Sequence, residues 1–203
     1  MLEAVAAALD ALGYRTTVLL ARVVWGRPDD GPPTPRSHML LGVELPEGRH
    51  VVDVGFGGNT LTGVLAVRPG VGQDTPHGPY RLVADGPELV MQAHIGGAWR
   101  ALYRFDPRIE NHQVDVEVAN FHVSRHPASH FVTGLTAARA APDRRHALGG
   151  ARHVVHHLGG PSETRDLASV REIREVLERD LHIDTSGLAD LDAHLTGLLV
   201  RPG

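Results

Sequence analysis

Apolar residues at positions 2, 5, 6, 9 and 12 recur with a helical period, and Gly13 follows where a helix C-cap is expected. The chain therefore opens on a helix over Leu2–Leu12. From Arg15 the period changes to short Val- and Leu-rich runs: Thr17–Trp25, His38–Leu45, His50–Val54, Arg81–Val83, Leu89–Ile95 and Trp99–Phe105. Turn-forming clusters separate them, at Pro28-Asp29-Asp30-Gly31-Pro32-Pro33, Pro46-Glu47-Gly48, Asp85-Gly86-Pro87 and Gly96-Gly97. Many short strands at this spacing predict a small antiparallel barrel or sandwich. After Asp106-Pro107 the pattern changes again. A helix is predicted from Val114 to about Val123, a strand near Val154-Val155, and a helix from Ser169 to Arg179. Ser169 suits the N-cap, Glu172 completes a capping box, and Val170, Ile173, Val176 and Leu177 form the apolar stripe. A last helix is expected at Leu188–Leu199. The fold class is α+β, a β-rich part followed by a smaller α/β part.

Composition narrows the function. The 203 residues, 42% hydrophobic, can bury one core or two small ones. No run approaches the length of a membrane-spanning helix, and the start carries neither a basic leader nor a cleavage pattern, so a cytoplasmic protein is expected. A formal charge of −4, with no basic run, argues against nucleic acid as a partner, and nothing suggests a membrane surface. The absence of cysteine removes disulfides, thiolate metal sites and thiol catalysis from the chain as written.

Two strings carry the chemistry. Ser37-His38-Met39-Leu40-Leu41 and Val51-Val52-Asp53-Val54-Gly55-Phe56-Gly57-Gly58 each set a titratable residue into an apolar, strand-like run. An ionised carboxylate among Val52, Val54 and Phe56 is costly unless it is paired, and an imidazole on a neighbouring strand can pair with it. A carboxylate that accepts from one ring nitrogen leaves the other free to take a proton from a nucleophile. The glycines after Asp53 offer backbone N–H groups that no side chain obstructs. Spacing alone leaves two readings open, a catalytic dyad and a structural pair.

These strings resemble the arylamine N-acetyltransferase family. The likeness runs through Leu12-Gly13-Tyr14, Ala21-Arg22-Val23-Val24-Trp25-Gly26, Arg36-Ser37-His38-Met39-Leu40-Leu41 and Val52-Asp53-Val54-Gly55-Phe56-Gly57. It continues through Thr75-Pro76-His77-Gly78-Pro79-Tyr80-Arg81-Leu82, Asn120-Phe121-His122-Val123-Ser124, His126-Pro127-Ala128-Ser129-His130-Phe131 and Glu163-Thr164-Arg165. The resemblance implies ping-pong transfer of acetyl from acetyl-coenzyme A, through a cysteine, to an arylamine or arylhydrazine nitrogen. His38 would draw the thiol proton and Asp53 would orient the imidazole. Coenzyme binding would involve Gly57, Thr75, His77, Gly78, Ser124 and Ser129, and Phe56 and Trp25 would line the acceptor pocket. No metal is implied. The implied architecture is a remnant helix of a missing helical domain (1–13), an antiparallel β-barrel (14–126) and a small α/β lid (127–203), a cysteine-protease-like arrangement of the triad.

The chain departs from that pattern where the chemistry begins. The family's Arg-Gly-Gly-x-Cys-x-Glu-x-Asn stretch aligns just ahead of Leu2, so its cysteine would fall upstream of Met1. The expectation is a chain that lacks the N-terminal domain, through truncation or a misassigned start, and is inactive alone. Ser37 cannot replace the thiol, because a strand turns it to the face opposite His38. Asn59-Thr60-Leu61-Thr62 and Ser124-Arg125 also differ from the family's usual residues. Two other functions remain, a non-catalytic coenzyme A-binding remnant and a histidine-based metal-binding barrel. The second rests on His122, His126 and His130, spaced i, i+4, i+8, and on His153, His156 and His157. Pro127 would break the helix that the first group needs.

Overall fold

The structure is a computed structural model and describes residues 2–28 and 30–200. Met1 and Asp29, the latter from the Pro28–Pro33 turn, lie outside the described residues. The chain folds as two compact units that divide between Val123 and Ser124.

The first unit opens on α1 (Leu2–Ala11). Gly13 ends it at φ +87°, with its N–H on the Asp10 carbonyl at 2.9 Å and the Tyr14 N–H on the Leu9 carbonyl at 3.0 Å. A left-handed residue after the last turn satisfies carbonyls the helix would leave open, which is why glycine stands there. Eight strands follow: β1 (Arg15–Val23), β2 (Arg36–Leu45), β3 (Gly48–Val52), β4 (Leu65–Ala66), β5 (Gly72–Thr75), β6 (Gly78–Asp85), β7 (Glu88–Ile95) and β8 (Ala98–Phe105). They form one antiparallel sheet ordered β4-β3-β2-β1-β8-β7-β6-β5.

Period-two burial rolls this sheet up. In β7, Leu89, Met91 and Ala93 are buried while Val90, Gln92 and His94 are not, so one face becomes a core of Leu19, Leu40, Leu82, Met91, Leu102 and Tyr103 among others. Bulges at Ala21/Arg22 and Met91/Gln92 bend the strands. The two edges nearly close on each other. The Gln73 carboxamide accepts from the Ala66 N–H at 2.8 Å and donates to the Ala66 carbonyl at 2.9 Å, imitating a strand's backbone where β4 is only two residues long. Of the two architectures expected, the barrel is the one observed. On the outer face of β2, Met39, Leu41 and Val43 pack against Leu2, Val5, Ala6 and Leu9 of α1.

A helix α2 (Gln113–Arg125) runs across the division between the units. The second unit contains a short helix α3 (His130–Thr133) and a four-stranded antiparallel sheet, β9 (Thr136–Ala141), β10 (Arg144–Gly149), β11 (Arg152–His157) and β12 (Ser162–Asp166). Then come α4 (Val170–Glu175), a π-helical turn (Val176–Asp180) and α5 (Leu191–Val200). Ser169 caps α4 as predicted, its hydroxyl accepting from the Glu172 N–H at 3.3 Å, and Glu172 reaches back to the Ala168 N–H at 2.7 Å. The predicted helix to Arg179 changes to π geometry after Glu175, burying Val176 and Leu177 with Ile173 against Leu148. Only β11 of this sheet was expected. Among the described residues no helix is long and apolar enough to cross a membrane.

Candidate active site

β2 and the end of β3 bring His38 and Asp53 together. Leu41 lies opposite Val52 in the β2–β3 ladder, and Asp53 follows Val52 directly, where β3 ends. The His38 Nε2 lies 2.8 Å from the Asp53 Oδ2. Asp53 is fully buried, and the His38 side chain is 10% exposed. The second carboxylate oxygen, Oδ1, accepts from the Gly55 N–H at 2.9 Å. Both oxygens are thus engaged, as a buried carboxylate requires. Because the Asp53 bond occupies Nε2, it selects the tautomer with hydrogen there and leaves Nδ1 as the basic nitrogen.

Aromatic rings fix the imidazole further. Phe56 meets it edge to face at 5.0 Å between centroids, and Tyr103 packs beside both rings at 4.8 and 5.0 Å. Tyr103 is fully buried; its hydroxyl makes no hydrogen bond of good geometry but lies close enough to Asp53 for the carboxylate to act on it by charge and as an acceptor. Burial first, and then the nearby Asp53 carboxylate, holds its phenol neutral with a pKa well above the ordinary value. Tyr103 carries no signal of a site residue in the sequence. Its place in the alternation of β8 is that of any core aromatic, and only the sheet's closure sets it beside His38.

The other predicted residues fall into three groups. Gly57 begins a 3-10 turn (Gly57–Asn59) at φ +65°, a left-handed conformation that explains the glycine. The Thr75–Gly78 turn is tied to the segment after it, with His77 Nδ1 at 2.9 Å from the Thr62 hydroxyl and the Tyr80 hydroxyl donating to the Asn59 and Thr60 carbonyls. Gly57, Thr75, His77 and Gly78 therefore belong to one linked pair of loops beyond Asp53. Trp25 is 42% exposed just after β1, its backbone N–H donating to the Leu102 carbonyl, and makes no ring contact with Phe56 among the described residues. Ser124 and Ser129 lie in the second unit, where Ser129 is buried at the start of α3.

Ser37 turns away from His38, as the strand period requires. With Met39 it lines a cavity of about 360 Å³ on the outer face of β2, beside Leu2 and Leu20 and opposite Asn120 of α2. The histidine series does not share a helix face either. His122 lies in α2, which ends at Arg125 ahead of Pro127, and His130 starts α3.

The N-terminal end of α1 abuts this centre. The Leu2 side chain comes within 3.5 Å of where a β-carbon on Gly55 would stand, and the Asp53 carboxylate is 3.9 Å from the same point.

Comparison with known proteins gives one consistent relationship. A family model described as N-acetyltransferase matches residues 3–189. The sequence is 40% identical over 188 residues to an arylamine N-acetyltransferase of Mycolicibacterium smegmatis, covering 91% of this chain and 67% of that protein. A solved structure of a Mycobacterium smegmatis N-arylamine acetyltransferase, a variant with a cysteine replaced by glutamine, superposes with a TM-score of 0.91 at 37% identity. That match covers 97% of this chain and 73% of the other. The Mycobacterium marinum arylamine N-acetyltransferase solved in complex with CoA gives a TM-score of 0.89 at 38% identity, over 96% of this chain and 72% of that one.

Proposed function

The chain belongs to the arylamine N-acetyltransferase family, and from that premise we propose that His38 and Asp53 are the base and orienting carboxylate of a Cys-His-Asp acetyl-transfer centre. The observation that carries this is the buried 2.8 Å contact between His38 Nε2 and Asp53 Oδ2, which leaves Nδ1 as the free base. With no cysteine among the 203 residues, the thiol comes from outside them. Leu2 against Gly55 is where it would enter.

In the transfer, Nδ1 takes the thiol proton and the thiolate attacks the thioester carbonyl of acetyl-coenzyme A. The carbon–sulfur bond to the coenzyme breaks, the coenzyme leaves as its thiol after taking back the proton, and acetyl remains on the cysteine. An arylamine or arylhydrazine nitrogen then attacks that second thioester, and the imidazole relays the amine proton to the departing cysteine. Asp53 keeps the ring in one orientation and stabilises the imidazolium through both half-reactions. Gly57, Thr75, His77, Gly78, Ser124 and Ser129 are proposed as coenzyme-binding residues. Phe56 and Trp25 are proposed for the acceptor.

Turnover of acetyl-coenzyme A with an arylamine tests this, using the 203-residue chain beside a version extended upstream through an in-frame cysteine. The extended form is expected to turn over and the 203-residue form to be silent. Acetylation by the 203-residue chain would overturn the need for an external thiol. The absence of cysteine also supports a second reading, a protein that binds coenzyme A without transferring acetyl. Calorimetric binding of coenzyme A with no turnover in the extended form would select it.

A further inference from the structure

A second pair of buried titratable side chains lies in the C-terminal unit, apart from the dyad. His146 on β10 and His153 on β11 are 8% and 5% exposed. Their rings stack at 5.5 Å with 12° between the planes, and His146 Nδ1 is 3.3 Å from His153 Nε2. In the β10–β11 register His146 faces Val155 and His153 faces Leu148, which makes the imidazoles diagonal neighbours on one face. That face carries Leu148 into the core formed with Ile173, Val176 and Leu177. The pair therefore sits in the layer between the sheet and the Val170–Asp180 segment.

A contact between two ring nitrogens works only when one donates and the other accepts, so the pair keeps its bond when both rings are neutral or when one of them is protonated, and loses it when both are. Protonating both sets N–H against N–H in a site with little water. The charges around the pair add to that cost. Arg139 lies opposite His146 on β9, Arg165 opposite His153 on β12, and Arg144 two residues along β10. Asp180, at the end of the π-helical turn, is the one carboxylate that acts on both rings in the favourable direction. Burial first, with the neighbouring arginines, outweighs Asp180 and lowers both imidazole pKa values below the ordinary one. No group of three or more His, Cys, Asp or Glu among the described residues could hold a metal ion, and proton uptake is a chemistry two neighbouring imidazoles can perform.

A polar tie joins the segment above the pair to β9. Arg139 Nη1 donates to the Asp180 carbonyl at 2.7 Å. The turn has π geometry, and His182 just beyond it stands at φ +56°, a left-handed conformation that costs a non-glycine residue free energy. Packing keeps it in place.

We propose that His146 and His153 form an acid-sensitive latch, in which protonation of both rings parts the Val170–Asp180 segment from the four-stranded sheet while the barrel unit stays folded. The sign follows from linkage. Near the ordinary histidine pKa the closed form binds fewer protons than the open one, so the latch is fully stabilised above that pH and weakens as pH falls through it. For each unit by which a closed-state imidazole lies below its open-state value, the opening equilibrium shifts by about tenfold in acid.

The test is hydrogen exchange on the full chain at pH 7.5 and pH 5.0, with intrinsic rates divided out, together with ring ¹⁵N titration of both histidines. Protection over residues 144–157 and 170–181 is expected to fall about tenfold or more in acid relative to the barrel strands. The double variant His146→Gln with His153→Gln keeps a neutral donor and acceptor but cannot titrate, so its protection should not depend on pH. Equal pH dependence in both proteins would overturn the latch. If the variant does not fold, the rings of the unmodified chain decide: titration of both in the ordinary histidine range would equally overturn it.

Discussion

Asp53 meets His38 at Nε2, 2.8 Å from its Oδ2, while its Oδ1 holds the Gly55 N–H at 2.9 Å. The carboxylate therefore does two things, selecting the imidazole tautomer and anchoring the backbone that leads into Phe56 and Gly57. An Asp53→Asn substitution preserves the shape but gives the ring a side chain that can donate as well as accept. The expected result is a mixed tautomer, visible as a changed Nδ1/Nε2 pattern in ¹⁵N spectra of His38. In a thiol-completed protein, turnover should fall by roughly a thousandfold or more with little change in fold. A loss under tenfold would mean that Asp53 does not orient His38.

Tyr103 supplies packing to the imidazole, and its hydroxyl, though near Asp53, makes no hydrogen bond of good geometry. An unsatisfied buried hydroxyl costs stability, on the order of 1–3 kcal/mol. Tyr103→Phe should therefore be neutral or more stable by up to about 1 kcal/mol in urea unfolding, whereas Tyr103→Ala should lose about 3–5 kcal/mol by leaving a cavity beneath His38. Destabilisation by more than about 1 kcal/mol in the Phe variant would show that the hydroxyl makes a bond in solution. In the unmodified protein, burial and the Asp53 carboxylate keep the phenol protonated through the ordinary tyrosine range, which a residue-specific ¹³C titration would register.

The strands that reveal themselves in the sequence are those whose one face is buried. Arg15–Val23, Arg36–Leu45, Glu88–Ile95 and Ala98–Phe105 are rich in β-branched and large apolar residues, and all were anticipated to within a few residues. The strands that stayed hidden are fixed by partners instead. Leu65–Ala66 is completed by the Gln73 side chain, and Gly72–Thr75 is polar. Thr136–Ala141 reads Thr-Ala-Ala-Arg-Ala-Ala, a composition that suits a helix equally well, and Ser162–Asp166 is exposed at every position. Neither carries a local signal that survives without its neighbour in the sheet. The same division holds at the site. His38 and Asp53 stood out because ionisable residues in apolar runs need an explanation, whereas Tyr103 in β8 needed none. The π-helical turn was hidden for a related reason, since the apolar spacing of Ile173, Val176 and Leu177 serves an α-helix as well.

Gly42 is a position where a side chain has no room. Arg49 folds across it, so that a β-carbon there would stand 2.8 Å from Nη2 and 2.9 Å from Nε. The arginine is not free to swing away, because its Nη1 donates to the Pro107 carbonyl at 2.5 Å and its Nε faces Glu44 at 3.4 Å. Gly42→Ala should displace Arg49 and break the bond to Pro107, at a cost of about 1.5–3 kcal/mol for a lost charge-assisted hydrogen bond. Arg49→Ala should lose a similar amount, and the double variant no more than the larger single loss, since both act through one contact. Fully additive losses in urea unfolding would contradict this.

Asp106, at the end of the barrel strands, gives a pH dependence of known sign. Its Oδ1 accepts from the Arg108 Nε at 2.9 Å and from the Arg108 N–H at 3.0 Å, and Oδ2 accepts from Nη2 at 2.7 Å. The guanidinium fork first, and then the backbone N–H, lowers this carboxyl to about 2 from its ordinary 3.8. A lowered native value means that the unfolded chain binds the proton more readily. The stability it contributes is therefore complete above 3.8 and is lost as pH falls toward 2. Arg108→Ala removes the fork but keeps the backbone donor, so the Asp106 midpoint should rise only part of the way toward 3.8, and the acid limb of the stability curve should become shallower between those values. The check is ¹³Cγ titration of Asp106 in both proteins at low ionic strength. An unchanged midpoint in the variant would assign the effect to the backbone N–H alone.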